Sequence, residues 1–179
     1  MVDRLFSAIT LPDQIARRLA LLGGGIQGAR WVTAENLHVT LRFIGDVDTR
    51  TAAQVHASLQ EVQFSPFDLA LRGVAIFGAR KPRLLYAGVE PNDELNALYA
   101  RINSAHVRAG LTVPAEHRYV PHVTLAWLKN PPRDRVGTFI AANNILEIPP
   151  FRVEQFVLMS SHPTASGACY QIEARYPIS

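Results

Sequence analysis

The stretch NLHVTLRFIG, residues 36–45, decides which fold the chain is expected to adopt. Its residues alternate with a period of two, which is typical of a β-strand that has one face in a core. The apolar set is Val39, Leu41 and Phe43. The polar set is His38, Thr40 and Arg42. This strand is therefore expected to present an imidazole, a hydroxyl and a guanidinium together on its other face.

The same tetrapeptide, HVTL, returns at His122 to Leu125. In each half of the chain the motif strand is preceded by a predicted strand and helix and followed by a helix. A shared order of elements around a shared motif indicates an internal duplication, with one histidine and one threonine contributed by each half.

The rest of the chain is a mixture of strands and helices. Alternation and turn residues predict strands at 4–10, 37–44, 67–77, 83–89, 151–161 and 169–178. Helical spacing and capping residues predict helices from Pro12 to the glycines at 23–25, from the cap Asp48 to 63, from the cap Asn92 to 109, and at 135–143. Short connections between strands favour antiparallel pairing, so we expect an α+β fold in a single domain over 1–179.

Composition narrows the setting. The chain has 179 residues, of which 48% are hydrophobic and 18% charged, so it can bury a core. Its net charge of +3 favours polyanionic partners mildly. No apolar run is long enough to span a bilayer and the first residues have no signal pattern, so we expect a cytoplasmic protein without a membrane partner. We also expect it to be a monomer. The single cysteine, Cys169, allows neither an internal disulfide nor a cysteine-based zinc site, and we expect it to be packed.

Two H-x-T strands side by side would form a site suited to a phosphate group. Histidine has an unperturbed pKa near 6.5, so one ring can act as base and the other as acid at neutral pH. The threonine two positions on points to the same face and can donate to an anionic oxygen. In-line displacement at phosphorus needs these groups. A zinc site is the competing interpretation, but the accompanying residues are threonines and no H-E-x-x-H pattern occurs, so we expect no metal and no cofactor.

With this spacing, the paired H-x-T motifs resemble the two-histidine phosphoesterase superfamily, and specifically its RNA 2′,3′-cyclic phosphodiesterase branch, also called 2′,5′ RNA ligase. The resemblance covers RLFSAITLP (4–12), RWVTAENLHVTLRFIGDV (30–47), YVPHVTLA (119–126), FVLMSS (156–161) and GACYQIEARYPI (167–178). It implies a two-lobed, pseudo-twofold α+β fold with mainly antiparallel sheets flanking a central groove and helices packed outside. It also implies that His38 and His122 are catalytic without a metal, and that Thr40 and Thr124 bind the phosphate.

One position departs from that family. Many relatives continue the second motif to an arginine that helps to hold the phosphate, and here the matching residue is Trp127. Alternation from His122 places Trp127 on the apolar face, which predicts a core position. We therefore expect a phosphate-binding positive charge from Arg42, in register with His38 and Thr40, or from Lys129 or Arg118.

Other aromatic and histidine side chains are weaker candidates. A base-stacking surface could come from Trp31, Phe43, Phe77 or Tyr119. Core packing is favoured for Phe43 and Phe77, whereas Tyr119 stays a candidate for substrate binding because it lies near the second motif. The histidines without a matching motif are expected to be surface or structural residues: His56, His106, His117 and His162.

The predicted activity is metal-independent hydrolysis of 2′,3′-cyclic phosphate ends of RNA or oligonucleotides. We expect His122 to take a proton from water and His38 to protonate the departing 3′ oxygen, with the roles open to exchange. The resemblance implies a 2′-phosphomonoester product. Three alternatives remain at this point: 2′,5′ ligation by the reverse reaction, hydrolysis of a small cyclic nucleotide, and a non-catalytic RNA-binding module.

Overall fold

The computed structural model describes residues 2–111, 118–164 and 167–177, so His117 lies outside the described residues. The strands of the described part are β1 (Val2–Thr10), β2 (Ala29–Trp31), β3 (His38–Asp48), β4 (Phe67–Phe77), β5 (Leu84–Val89), β6 (His122–Leu128), β7 (Glu147–Val153), β8 (Gln155–Thr164) and β9 (Gly167–Pro177). Its α-helices are α1 (Asp13–Ala20), α2 (Thr49–Gln60), α3 (Asp93–Arg108) and α4 (Arg133–Asn143), and a 3₁₀ turn covers Ala34–Asn36.

One antiparallel sheet contains every strand of the described ranges. The order is β7-β4-β5-β6-β3-β1-β8-β9, and the short β2 pairs with β6. The two motif strands, β3 and β6, are neighbours at the centre, with three further strands of this order outside each of them. This arrangement confirms the predicted α+β class and the pseudo-twofold relation between halves. The domain boundaries, 1–179, stay a prediction.

Helix caps and apolar stripes position α2 and α3 against β3. Asp48 accepts from the backbone N–H of Thr51 at 2.7 Å and begins α2, as predicted from its residue type. Asn92 does the same for α3. The stripe of α3 is buried against β3 and α2: Leu95, Leu98, Ile102 and Ala105. In the described part of the chain, no helix combines the length and the apolar character needed to cross a bilayer.

The structure differs from the sequence prediction mainly near the C-terminus. The strand predicted at 151–161 is two strands, β7 and β8, which are separated at Glu154. Strand β7 contains Pro149 and Pro150 and lies at one end of the sheet order, where a missing backbone N–H costs least. Strand β2 was not predicted because three residues are too few to show a period.

Candidate active site

The pairing of β3 with β6 brings the two motifs together. The strands are antiparallel with Val39 opposite Val123, the middle residue of each H-x-T. In this register His38 lies across from Thr124, and Thr40 lies across from His122. These four side chains line one cavity of about 70 Å³. About 10–15 Å³ of such space holds one water molecule, so the cavity has room for several waters or for a phosphate group.

Matching hydrogen bonds orient the two imidazoles. The Nδ1 atom of His38 donates to the carbonyl oxygen of Asn36 at 2.7 Å, and the Nδ1 atom of His122 donates to that of Val120 at 2.7 Å. Each neutral ring therefore carries its hydrogen on Nδ1 and keeps Nε2 as a proton acceptor. In His38 that Nε2 atom lies 3.1 Å from the hydroxyl oxygen of Thr40, which donates to it.

Aromatic rings pack against each imidazole. The ring centroids within 5.3 Å are those of Phe6 and Tyr170 for His38, and of Phe77 and Tyr86 for His122. Phe6 lies on β1 and Tyr86 on β5, the strands next to β3 and β6, so the enclosure repeats the pseudo-twofold order of the sheet. These rings restrict the imidazoles and exclude water from one side of each.

Burial changes the proton affinity of both histidines. Desolvation lowers the pKa of His38 from 6.5 to about 4; the hydrogen bond to Asn36 opposes this, and the nearby His122 adds to it. Burial also lowers the pKa of His122, by less, against the hydrogen bond to Val120. Both rings are therefore neutral at pH 7 in the free protein, and the first proton taken up resides on His122.

A bulge follows each motif. In the pairing of β1 with β3, Ser7 is opposite Arg42 and Ala8 is opposite Thr40, so Leu41 has no partner. In the pairing of β5 with β6, Leu125 is skipped in the same way, between Thr124 and Ala126. An extra residue in one strand reverses the alternation beyond it. The faces assigned by a strict period of two are therefore wrong after position 41 and after position 125.

Arg42 is the first residue affected by the bulges. It is 6% exposed and its Nη1 donates to the hydroxyl of Tyr99 on α3 at 3.4 Å. The guanidinium thus lies on the helix side of the sheet, opposite the face of His38 and Thr40. The prediction that Arg42 shares that face and supplies charge to the phosphate is wrong, because the bulge at Leu41 turns it away.

Phe43 and Trp127 are turned towards the histidines by the same two bulges. Phe43 is 50% exposed and Trp127 is 44% exposed, and both line the 70 Å³ cavity. The predicted core positions are therefore wrong for both residues. The sequence held a signal, since HVTLRF and HVTLAW carry an aromatic residue at the same offset from each histidine.

The remaining predicted site residues lie elsewhere. Tyr119 stacks on Tyr99 with ring centroids 4.0 Å apart, and its hydroxyl donates to the carbonyl oxygen of Thr40 at 3.1 Å. Its ring therefore supports β3 from behind and does not line the cavity. Arg118 and Lys129 are exposed and line neither this cavity nor three larger cavities on the described part of the surface.

Two polar residues that line the cavity were not predicted from the sequence. Asn36 and Tyr170 line the cavity, and the amide of Asn36 joins them because its Oδ1 accepts from the backbone N–H of Tyr170 at 3.4 Å. His38 and Tyr170 also line an adjoining cavity of about 860 Å³. Cys169 lines that larger cavity and is exposed, so the prediction of a packed thiol is wrong.

The polar groups around the imidazoles are hydroxyls and an amide. Within residues 2–111, 118–164 and 167–177, no group of three His, Cys, Asp or Glu side chains is placed to share a metal ion. The arrangement offers two proton carriers and two hydroxyl donors around one small cavity, which are the groups needed for acid-base displacement at phosphorus.

Family comparison agrees with this geometry. The sequence matches the family model of LigT-like phosphoesterases over residues 9–86 and 88–170, and each segment contains one H-x-T motif. The chain belongs to this family. The family predicted from the paired motifs is thereby confirmed.

Relatives of the LigT-like family match along nearly the whole chain. An RNA 2′,3′-cyclic phosphodiesterase of Thermotoga maritima is 29% identical over 179 residues, which cover 94% of this chain and 92% of the relative. One from Methanothermobacter thermautotrophicus is 28% identical over 178 residues, covering 95% and 96%. A Thermus thermophilus structure superposes with a TM-score of 0.80 at 23% identity, covering 98% and 97% of the two chains. The structure of E. coli LigT with 3′-AMP superposes with a TM-score of 0.76 at 24% identity, covering 100% of this chain and 99% of the other. The fold is therefore shared.

Proposed function

We propose that this LigT-like phosphoesterase hydrolyses 2′,3′-cyclic phosphate ends of RNA to 2′-phosphomonoesters without a metal. The observation that carries the proposal is the convergence of His38, His122, Thr40 and Thr124 on one phosphate-sized cavity. The curated relatives, which are RNA 2′,3′-cyclic phosphodiesterases, support the substrate class. A cyclic phosphate bridging two ribose hydroxyls presents one phosphorus and one bond to break, which suits a small acid-base site.

The reaction needs one proton to leave water and one to reach the departing oxygen. Water attacks phosphorus as a base accepts its proton, the bond from phosphorus to the 3′ oxygen breaks, and an acid protonates that oxygen. The phosphate remains on the 2′ oxygen. The two imidazoles face this centre from the two motif strands, so one can act on each side of phosphorus.

The different environments of the rings favour one assignment of these roles. His38 has the lower pKa, so it remains neutral when the pair holds one proton. His122 then carries that proton. We accordingly assign His38 as the base and His122 as the acid, the reverse of the order expected from the sequence.

The two threonines supply neutral donors for the phosphate. Each hydroxyl lies across from the histidine of the other strand, so Thr40 and Thr124 reach the phosphate from its two sides. Donors fixed by the strands can stabilise the charge that builds on the non-bridging oxygens during attack.

The nucleoside lies against the aromatic rings that line the cavity. Phe43 and Trp127 are half-exposed there and offer aromatic faces. Stacking a base on an aromatic side chain is worth about 1–3 kcal/mol. Trp127 thus gives binding energy at the position where the family resemblance leads us to expect an arginine.

The test is hydrolysis of an oligonucleotide ending in a 2′,3′-cyclic phosphate in excess EDTA. Wild type is expected to release the 2′-phosphate, and His38→Ala and His122→Ala should each lose a factor of about 10² to 10⁴ in rate. His56→Ala is the control, because its ring bonds to Tyr176 on β9, away from the cavity, and should keep full rate. Thermal unfolding verifies that each variant is folded.

The same assay separates the alternatives. A folded wild type without turnover, but with binding of the oligonucleotide, would replace the proposal with the RNA-binding module. Hydrolysis confined to cyclic mononucleotides would indicate the small-nucleotide activity. Joining of a 5′-hydroxyl RNA to the cyclic end in place of hydrolysis would indicate ligation.

A further inference from the structure

A further cavity, of about 520 Å³, carries positive charge. It is lined by residues of β1, β2, β3 and the β8–β9 hairpin. Its charged side chains are Arg4, Arg30 and Asp46. We call it the Arg4–Arg30 cavity. The mechanism proposed above uses none of these residues.

Arg30 connects this cavity to the histidine site. It lies opposite Trp127 in the pairing of β2 with β6, so the two side chains share one face of the sheet. Its side chain extends across the start of β9, where a Cβ added to Gly167 would lie 3.5 Å from its Cδ and Nε atoms. Tyr170, three residues further along β9, lies against His38.

Asp46 lies opposite Arg4 in the pairing of β1 with β3, so the three charged side chains of the cavity leave a net charge of +1. Among the described residues, neither guanidinium has a hydrogen bond or an ion pair, whereas Arg72 pairs with Glu147 at 2.8 Å. Burial raises the pKa of the Tyr170 hydroxyl, and the charges of Arg30 and Arg4 oppose that rise. Both charges therefore reach the ring that borders His38.

We propose that the Arg4–Arg30 cavity binds the internucleotide phosphate that precedes the cyclic end of the substrate. An RNA chain leaving the histidine cavity past Trp127 and Tyr170 arrives at two guanidiniums, whose planar forks match phosphate oxygens. The substrate class is then an oligonucleotide with at least one internucleotide phosphate, favoured over a cyclic mononucleotide. This inference rests on the proposed function. It also means that Arg30 of β2 supplies an arginine contact to the substrate, although the second motif has Trp127 at the position expected for an arginine.

The experiment compares three substrates with cyclic ends. They are a 2′,3′-cyclic mononucleotide, a dinucleotide with a normal linkage, and the same dinucleotide with an uncharged methylphosphonate linkage. Arg4→Gln and Arg30→Gln should each lower kcat/KM for the normal dinucleotide on the order of tenfold. For the other two substrates, kcat/KM should change by less than about twofold. For the normal dinucleotide, the slope of log(kcat/KM) against log[salt] should fall by about 0.7 for each lost phosphate contact.

Arg50→Gln is the matched control, since Arg50 is an exposed arginine on α2 and lines none of the cavities. Its rates should equal those of wild type. Equal losses on all three substrates, or no loss on any, would overturn the phosphate site, while hydrolysis of the normal dinucleotide by wild type keeps the proposed function standing. If wild type hydrolyses none of them, fluorescence anisotropy with the 2′-phosphate dinucleotide decides. Weaker binding only for the arginine variants then supports the site, and unchanged binding rejects it.

Discussion

At the scale of single residues, the two histidines are alike in sequence and unlike in environment. Both bond through Nδ1 to the carbonyl two residues earlier, so the backbone sets the same tautomer in each. They differ in how far burial lowers the pKa, and His38 has the larger change. Because the proton affinities of His38 and His122 differ, one ring is suited to act as the acid and the other as the base.

The pH dependence of kcat/KM tests this pair. One ring must be neutral and one protonated, and burial lowers both pKa values from 6.5, so the two limbs of the profile both move to lower pH. We expect the maximum below pH 6.5 and a fall approaching tenfold per pH unit on the alkaline side. Steady-state rates between pH 4 and pH 8 measure it.

Phe77→Ala supplies the companion variant for that profile. Phe77 lies with its ring centroid 4.9 Å from that of His122, and its removal admits water to the imidazole. Because desolvation is the main cause of the lowered pKa of His122, the alkaline limb should move up towards pH 6.5. A wild-type maximum above pH 7, or a limb that does not respond to Phe77→Ala, would refute the protonation scheme.

At the scale of elements, the bulges in β3 and β6 decide which side chains reach the cavity. Each places two consecutive residues in the core, Leu41 with Arg42 and Leu125 with Ala126. The aromatic residue that follows is then on the groove face. The two bulges thus put Phe43 in the place expected for Arg42, and Trp127 in the place that alternation gives to Ala126, on the face that bears the histidines.

Trp127→Ala tests the position after the second bulge. We expect kcat/KM for a cyclic-ended dinucleotide to fall about tenfold, mainly through KM, since roughly 1–3 kcal/mol of stacking is lost. A methyl riboside 2′,3′-cyclic phosphate has no base, and its rate should be unchanged. Trp127→Phe should recover most of the loss.

Chemical unfolding distinguishes this role from a core role. Leu125, two residues before Trp127 in the same strand, is 2% exposed, so Leu125→Ala should cost about 2–5 kcal/mol of unfolding free energy. Trp127→Ala should cost less, because the ring is 44% exposed. If Trp127→Ala costs as much as Leu125→Ala and the base-free substrate also slows, the tryptophan is structural.

Local signals predicted most of the fold. The caps Asp48 and Asn92 and the periodicity of the α3 stripe act within one element, and each was correct. The repeated HVTL predicted two matching strands, and the register of Val39 with Val123 brings them together. Bulges depend on hydrogen bonds to a neighbouring strand that is distant in sequence, so no period within β3 or β6 reveals them.

The same reason explains why Arg30 and Tyr170 were missed. Arg30 lies on a strand of three residues, and its position comes from pairing with β6. Tyr170 reaches the site only because β9 folds back on β8, in a hairpin that ends near Asn36. Residues of a site are most reliably predicted from the sequence when they lie on the same strand or helix.

At the scale of the whole molecule, one face of the sheet bears the two histidines, and helices pack against the opposite face. Helices α2 and α3 pack on β3 and on each other behind the motif strands. His106 of α3 joins them, since its Nδ1 donates to the Ser58 hydroxyl at 3.0 Å and that hydroxyl donates to the Val55 carbonyl. Its Nε2 is buried and has no hydrogen-bond partner among the described residues, so a protonated ring is disfavoured there.

This buried joint between α3 and α2, the hydrogen bond from His106 to Ser58, should make the stability of the fold sensitive to mild acid. Burial and the nearby Arg42 lower the pKa of His106 to about 4, whereas the unfolded chain protonates it near 6.5. The unfolded state therefore binds more protons between these values, and stability falls as the pH falls from 6.5 to 4. For His106 alone the loss between pH 7 and pH 5 is roughly 2 kcal/mol.

Urea unfolding of wild type and His106→Asn at both pH values measures this loss. The asparagine amide keeps a polar group near Ser58 and does not titrate. The variant should be less stable than wild type at pH 7 but lose roughly 2 kcal/mol less on acidification, because only the charge of the imidazole has been removed. His38 contributes an acid loss to both proteins and cancels in the difference. Parallel losses in the two proteins would mean that His106 stays neutral in the unfolded chain as well, or is protonated in the fold without cost, and either would contradict the buried joint between α2 and α3.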